Sequence, residues 1–339
     1  MPIADAPRPD DAPEAFRPID ALCVGETMAV LTPVTGGPLT AGSELGIAAG
    51  GAESNVACGL ARLGHRAAWL SRVGDDPLGR IVTGAVAAHG VDVSAVRTDT
   101  EGRPTGLYVK DPRPGASGVH YYRSGSAASA MGPGLADTPP VAHARVIHLS
   151  GITPALSPGC SALVDRLLDR GPGGARVSFD VNHRPALWPA ADAAPVLLGL
   201  ARRADVVFVG RDEAESLWGT GSADAVRALL PDVALLVVKD ADTGATCYGG
   251  DRGTTFVPAP AATVVEATGA GDAFAAGFLS GLLDRRPPRD SLRLGHILAA
   301  AALRATTDVA VPPPRADRDA MLAADEETWP RMRLPAAGA

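Results

Sequence analysis

Lysine is almost missing from this chain of 339 residues. Only Lys110 and Lys239 occur, so arginine supplies nearly all of the 31 basic side chains. Those arginines are scattered, and the formal net charge is −7, which argues against nucleic acid as the partner. The negative charge does not exclude an anionic small molecule, because single arginines and backbone N–H groups set the local field. Cysteine is sparse too. Cys23, Cys58, Cys160 and Cys247 lie far apart and form no CxxC pair, so buried, reduced thiols of a cytoplasmic protein are expected. Any apolar run of about 18 residues is missing, so no membrane span is expected. Residues 1–18 have neither a basic start nor an apolar centre. They do not read as a secretion signal, and their Pro, Asp and Ala content predicts a disordered lead. The seven histidines never fall at HxH or HxxxH spacing, and no nearby cysteine completes a zinc set. Neither GxGxxG after the first strand nor GxxxxGK[ST] is present, which speaks against a dinucleotide fold and a P-loop.

What is present is ordinary for a globular core. The hydrophobic fraction is 46%, enough for one large α/β domain with a small extra sheet. Strands are predicted at 20–25, 67–71, 145–149, 175–180, 205–209 and 234–239, with hairpin strands at 244–249 and 253–257. Helices are predicted at 53–63, 77–88, 159–170, 192–201 and 222–229, and a long one from 270. Asp75-Asp76-Pro77 is a good helix start, a capping carboxylate before Pro at the first helical position. This alternation predicts a mostly parallel sheet with helices on both faces. Segments 28–48 and 103–125 read as a separate small sheet, a lid, with a turn at Asp111-Pro-Arg-Pro-Gly. The domain is predicted over 19–310. Pro312-Pro313-Pro314 and the charged residues after it predict a tail over 311–339 that wraps loosely or frays.

Five constellations can carry chemistry. Gly269-Ala270-Gly271-Asp272 opens the last long helix, where bare N–H groups can hold an anion and Asp272 can take a proton from a hydroxyl. The same string also reads as a helix cap. Gly50-Gly51-Ala52-Glu53-Ser54-Asn55 brings backbone close to a ligand and offers Asn55 to sugar hydroxyls, or is a capped turn. Asp180-Val181-Asn182-His183-Arg184 follows a strand at the ligand-binding end of a parallel sheet, or forms a surface ion pair. Arg211-Asp212-Glu213-Ala214-Glu215 follows the next strand, where a carboxylate can hold Mg²⁺ through water or simply favour a helix start. Tyr108, Tyr121, Tyr122 and Arg123 sit on the lid ribbon, with Tyr121 and Arg123 on one face, to close over an acidic substrate or to pack on a neighbour.

In this order these segments resemble the ribokinase-like (PfkB) carbohydrate kinases over roughly residues 20–308. Arg72-Val73-Gly74-Asp75-Asp76-Pro77-Leu78-Gly79 and Phe179-Asp180-Val181-Asn182-His183-Arg184-Pro185 add to the likeness. Tyr121-Tyr122-Arg123-Ser124-Gly125-Ser126 and Leu149-Ser150-Gly151-Ile152-Thr153 look like the branch that phosphorylates 2-keto-3-deoxygluconate. The resemblance implies a doubly wound three-layer α/β/α ribokinase-like fold with a β-sheet lid. It implies ATP-dependent phosphorylation of a sugar-acid primary hydroxyl with Mg²⁺, a monovalent cation as a further cofactor, and a homo-oligomer joined through the lid. Asp272 matches the catalytic base, and Gly269, Ala270 and Gly271 the anion hole. Gly50, Asn55, Tyr108, Tyr121, Arg123 and Arg184 match substrate-pocket positions. Lys239, Thr268, Gly269 and Gly271 would meet the nucleotide, and Glu213 the metal through water. A kinase of the same fold for fructose, ribose or 5-dehydro-2-deoxygluconate is the alternative reading, and a non-catalytic sugar-binding relative the third. Three positions depart from the family pattern: Gly210 replaces the asparagine of Asn-x-x-Glu, Glu266-Ala267-Thr268 replaces Asp-Thr-Thr, and Lys239-Asp240-Ala241 replaces Lys-Leu-Gly.

Overall fold

A computed structural model describes residues 18–113, 116–169, 174–249, 253–305, 307–309 and 311–334. Residues 1–17 of the lead expected over 1–18, and the tip of the lid ribbon at residues 114 and 115, lie outside the described residues. Alternation within buried strands sets the architecture. In β1 (Ile19–Val24), Ala21 and Cys23 face one helical layer while Leu22 and Val24 face the other. The main sheet adds β4 (Ala67–Leu70), β9 (Ala144–Ser150), β10 (Arg176–Asp180), β11 (Val206–Gly210), β12 (Leu235–Asp240), β13 (Gly244–Tyr248) and β14 (Thr254–Pro258). Its order is β14-β13-β12-β11-β10-β9-β1-β4, parallel from β12 to β4, with β13 and β14 antiparallel at one edge. A short parallel pair, β5 (Arg72–Gly74) with β6 (Arg97–Asp99), stands apart.

One face is covered by α1 (Ala52–Arg62), α2 (Pro77–Ala87), α9 (Ala270–Leu283), α10 (Pro288–Leu303) and α11 (Arg315–Leu322). The other carries α3 (Pro139–His143), α4 (Ile152–Leu156), α5 (Pro158–Leu168), α6 (Ala190–Ala201), α7 (Arg211–Trp218) and α8 (Ala223–Leu229). This is the three-layer fold expected. Asp76 caps α2 by accepting from Gly79 N–H at 2.7 Å, with Pro77 behind it. The lid is a four-stranded sheet of β3 (Leu45–Gly50), β2 (Met28–Pro33), β7 (Leu107–Arg113) and β8 (Ala116–Tyr122), in that order. All four cysteines are buried, with no disulfide among the described residues. No described helix is long and apolar enough to cross a membrane.

The tail departs from its expectation. Residues 311–334 are packed, not frayed. Trp329 is fully buried and donates its indole N–H to Pro258 C=O at 2.8 Å. The buried Arg293 guanidinium stacks 4.6 Å from that ring and donates to Leu322 C=O at 3.0 Å. The proline run ends a segment without ending the fold: Pro314 caps α11, which brings Met321 and Leu322 into the core.

Candidate active site

The parallel strands end on a common edge, where β10 delivers Asp180, β11 Gly210 and β12 Lys239. There the start of α9 closes a crevice of about 650 Å³. Tyr121, Arg184, Glu213, Lys239, Thr268, Gly269, Gly271 and Asp272 all line it, drawn from five separate stretches of sequence.

Gly269 is the N-cap of α9, with φ of 80°. A β-carbon there would stand 2.5 Å from the backbone oxygen of Asp308, so both its dihedral and its surroundings demand glycine. Ala270 N–H donates to Ala267 C=O at 3.3 Å and Ala273 N–H to Gly269 C=O at 2.9 Å. The amides of Gly271 and Asp272 lie in the first turn, where an α-helix offers no internal acceptor. An anion at this helix start would therefore meet the amides of Gly271 and Asp272 more than that of Ala270, which is already engaged.

Asp272 is buried against this turn. Asn55, from α1, donates its amide to Asp272 Oδ2 at 2.8 Å, across 217 residues of sequence. Burial raises the Asp272 pKa to about 7; the Asn55 bond and the Arg184 charge oppose that rise, and Asp180 adds to it. A carboxyl poised there is a usable proton acceptor at neutral pH. Asn55, the residue expected at sugar hydroxyls, thus gives one amide N–H to the carboxylate and orients it.

Lys239 Nζ donates to Asp180 Oδ2 at 2.9 Å. Burial pulls its pKa down, but Asp180 and Glu213 outweigh it and the ammonium is held charged. Glu213 accepts from Gly210 N–H at 3.1 Å and from His183 N–H at 2.5 Å, closing a capping box at the start of α7. Its pKa is raised by burial and by the facing Asp180. Each oxygen keeps a further lone pair, which suits holding the water shell of Mg²⁺ more than direct coordination. Among the described residues no cluster of three or more His, Cys, Asp or Glu forms a direct metal site.

The lid residues divide. Tyr121 reaches the crevice; Tyr108, Gly50 and Arg123 do not line it. Tyr108 is buried and donates its hydroxyl to Asp308 Oδ2 at 2.8 Å. A β-carbon on Gly50 would meet that hydroxyl at 2.5 Å, so Gly50 makes room for the Tyr108–Asp308 pair. Arg123 is buried on Glu26, with Nε donating to Glu26 Oε2 at 2.6 Å and Ser126 completing the carboxylate's partners at the same distance. Arg184 is exposed at the crevice and, among the described residues, hydrogen-bonds only His183 C=O, at 3.4 Å. Sequence reading missed Glu26, Lys110 and Asp308. Glu26 lies two residues past the end of the first strand, which is the signal that could have found it; Asp308 has no local motif.

Residues 19–313 match the pfkB family of carbohydrate kinases. The chain belongs to this family. A 2-dehydro-3-deoxygluconokinase of Bacillus subtilis is 35% identical over 296 residues, 86% of this chain and 91% of the relative. A 2-dehydro-3-deoxygalactonokinase of Haloferax volcanii is 36% identical over 297 residues, 86% of this chain and 92% of the relative. The crystal structure of a PfkB protein from Polaromonas sp. JS666 superposes with a TM-score of 0.79 at 34% identity, covering 90% of this chain and all of that one. In this pfkB kinase two departures from the family pattern are partnered internally. Arg211 donates to Asp240 at 2.7 Å and pairs with Glu215 at 2.9 Å, so its charge is not free to replace the missing asparagine. Glu266 accepts from Lys110 at 3.0 Å and from Thr268 at 2.7 Å.

Proposed function

We propose that this kinase transfers the γ-phosphoryl group of ATP to the primary hydroxyl of 2-keto-3-deoxygluconate. The observation that carries the reading is Asp272, oriented by Asn55 and raised to about 7, sharing one crevice with the exposed Arg184. A crevice of about 650 Å³ suits a nucleotide and a small acid together. ATP with Mg²⁺ supplies the phosphoryl group; Lys239, Thr268 and the α9 start would hold its phosphates, and Glu213 the waters of the metal.

With Oδ2 engaged by Asn55, Oδ1 of Asp272 receives the hydroxyl proton. A sugar hydroxyl is a far weaker acid than Asp272, so the proton moves only as the new P–O bond forms. Most of the rate then comes from alignment and from charge stabilisation by the Gly271 and Asp272 amides. Tyr121 and the lid exclude water that would otherwise take the phosphoryl group. Arg184 meets the substrate carboxylate with charge-assisted hydrogen bonds. Arg123 is neutralised by Glu26 and lies 5.9 Å from the Tyr121 ring, while Tyr108, for which Gly50 makes room, packs 5.5 Å from the same ring, so both steady Tyr121 without lining the crevice, and Asn55 orients Asp272. The kinase works as a lid-mediated homo-oligomer.

The test is a steady-state screen with ATP-Mg²⁺ over 2-keto-3-deoxygluconate, its galactonate epimer, 5-dehydro-2-deoxygluconate, fructose and ribose. The epimer belongs there because a relative of similar identity is named for it. Potassium is varied in the same screen. The acids should exceed the neutral sugars in kcat/KM. Arg184→Ala should raise KM for the acids about 10- to 100-fold and leave fructose little changed. Equal loss on fructose, or fructose as the best substrate, would overturn the acid assignment.

A further inference from the structure

One of the two lysines lies outside the crevice, yet it is bound both to the loop that enters α9 and to Asp308, which follows α10 and packs against Gly269. Tyr108 and Lys110 are alternate residues of β7 and so share a face of the lid. Lys110 Nζ lies 3.0 Å from Glu266 Oε2 and 3.4 Å from Asp308 Oδ1, and only 12% of its side chain is exposed. Tyr108 donates to the other oxygen of Asp308. Asp308 presses its backbone oxygen against Gly269, whose missing β-carbon leaves it room. Glu266 extends the chain of contacts to Thr268 Oγ1. Lid strand, two carboxylates and the N-cap of the anion hole thus form one connected polar cluster.

Among the described residues the loop has few other fixings. Val265 and Glu266 amides hold Leu303 C=O at 2.7 and 3.2 Å, and Ala267 and Thr268 are exposed. Without the ammonium, Glu266 and Asp308 would face each other as unpaired negative charges beside the entrance to an anion site. That costs twice over: repulsion within the cluster, and a negative field where phosphate must bind.

We infer that Lys110 is a positioning residue for phosphoryl transfer: its ammonium, clamped between Glu266 and Asp308, ties lid strand β7 to the Gly269 N-cap. The seat of the lid and the shape of the anion hole are then set together. A lid displaced from β7's position releases Asp308 and Glu266, and the loop at 266–269 loses its fixed geometry. This rests on the assignment of the α9 start as the anion hole of the reaction.

Two measurements on the full-length enzyme test it. The first is amide hydrogen exchange of the enzyme alone, comparing wild type, Lys110→Ala and Lys110→Arg over segments 105–113 and 262–275. Both segments should exchange faster in Lys110→Ala, with Lys110→Arg closer to wild type. Exchange that rises in 105–113 alone would overturn the coupling. The second is steady-state kinetics with ATP-Mg²⁺ and 2-keto-3-deoxygluconate. Lys110→Ala should lower kcat about 100-fold, as a displaced catalytic constellation does, with the sugar-acid KM little changed. Ethylammonium added to Lys110→Ala should restore part of that kcat and leave wild type unaffected. A kcat equal to wild type, or a loss that ethylammonium does not relieve while KM rises, would overturn the role. Should Lys110→Ala fail to fold, Lys110→Met keeps the stem's volume and carries the same expectations for exchange and kcat. The exchange experiment needs no substrate. An enzyme inactive on every sugar acid therefore sinks the substrate reading, while Lys110 is still judged by whether the two segments loosen together.

Discussion

At the scale of single residues, Asp272 carries the clearest consequence. Its pKa is raised by burial to about 7, so near neutrality it is part protonated and unable to accept a proton. The kcat/KM for the sugar acid should therefore rise with pH through about 7 and level off above it. Asp272→Asn should abolish that limb and lower the rate about 10²- to 10⁴-fold. A pH profile flat through neutrality in wild type would contradict the assignment. Stability moves the other way. The folded pKa lies above the ordinary aspartate value of 3.8, so the group's contribution to stability is complete below about 3.8 and is lost as pH rises through about 7. Thermal unfolding of Asp272→Asn should accordingly be less sensitive to pH across that window. The proposed base stood out in sequence because a short glycine-rich string before an apolar helix has few physical meanings. Its partner's task was not. Asn55 lies 217 residues away, and no spacing rule announces that its amide meets this carboxylate. Arg123 was obscured in the same way: an arginine's charge is visible in a sequence, but the glutamate that neutralises it is not.

At the scale of elements, caps and turns explain what was readable. Pro77 behind Asp76 marked the start of α2, and the capping bond from Gly79 is present. Strands β9 to β12 were readable because buried parallel strands are continuous apolar runs between polar turns. The α11 segment was not, because three prolines read as a stop, whereas the last one sits where a helix needs no donor. One turn departs from what its geometry favours. Ala241, between β12 and β13, has φ of 42°, a left-handed conformation that crowds any β-carbon. Thr243 N–H closes that turn on Asp240 C=O at 2.8 Å, so the conformation is held by the hairpin and not chosen by the residue. Replacing Ala241 by Gly removes the steric cost of about 1 to 2 kcal/mol and restores about 0.4 to 1 kcal/mol of unfolded-chain entropy. The net expectation is a gain of about 0.5 to 1 kcal/mol, seen as a higher denaturant midpoint with an unchanged slope. A lower midpoint would show that this turn relaxes around its alanine.

At the scale of the whole molecule, the layered main domain follows from alternation, while the lid follows from register, which a sequence fixes less firmly. Register decides which lid residues look inward. Tyr121 reaches the crevice, so Tyr122 beside it in β8 points to the opposite face. The pairings Leu31 with Ile47 and with Val109, and Val109 with His120, place those residues on Tyr122's side. Ile47 is 49% exposed and Tyr122 64%, which makes an apolar lid surface turned away from the substrate. Such a face is the natural seat of the lid-mediated oligomer proposed above, since two copies can cover it without blocking either crevice. Wild type should then sediment as a dimer or a larger assembly at micromolar concentration. Ile47→Glu would bury an unpaired carboxylate at the contact, at a cost of several kcal/mol, and should shift the mass to a monomer. Because Ile47 faces solvent in the single chain, the variant should keep its fold, checked by far-UV circular dichroism. A wild type that sediments as a monomer, or an Ile47→Glu protein of unchanged mass, would place the contact elsewhere or remove it.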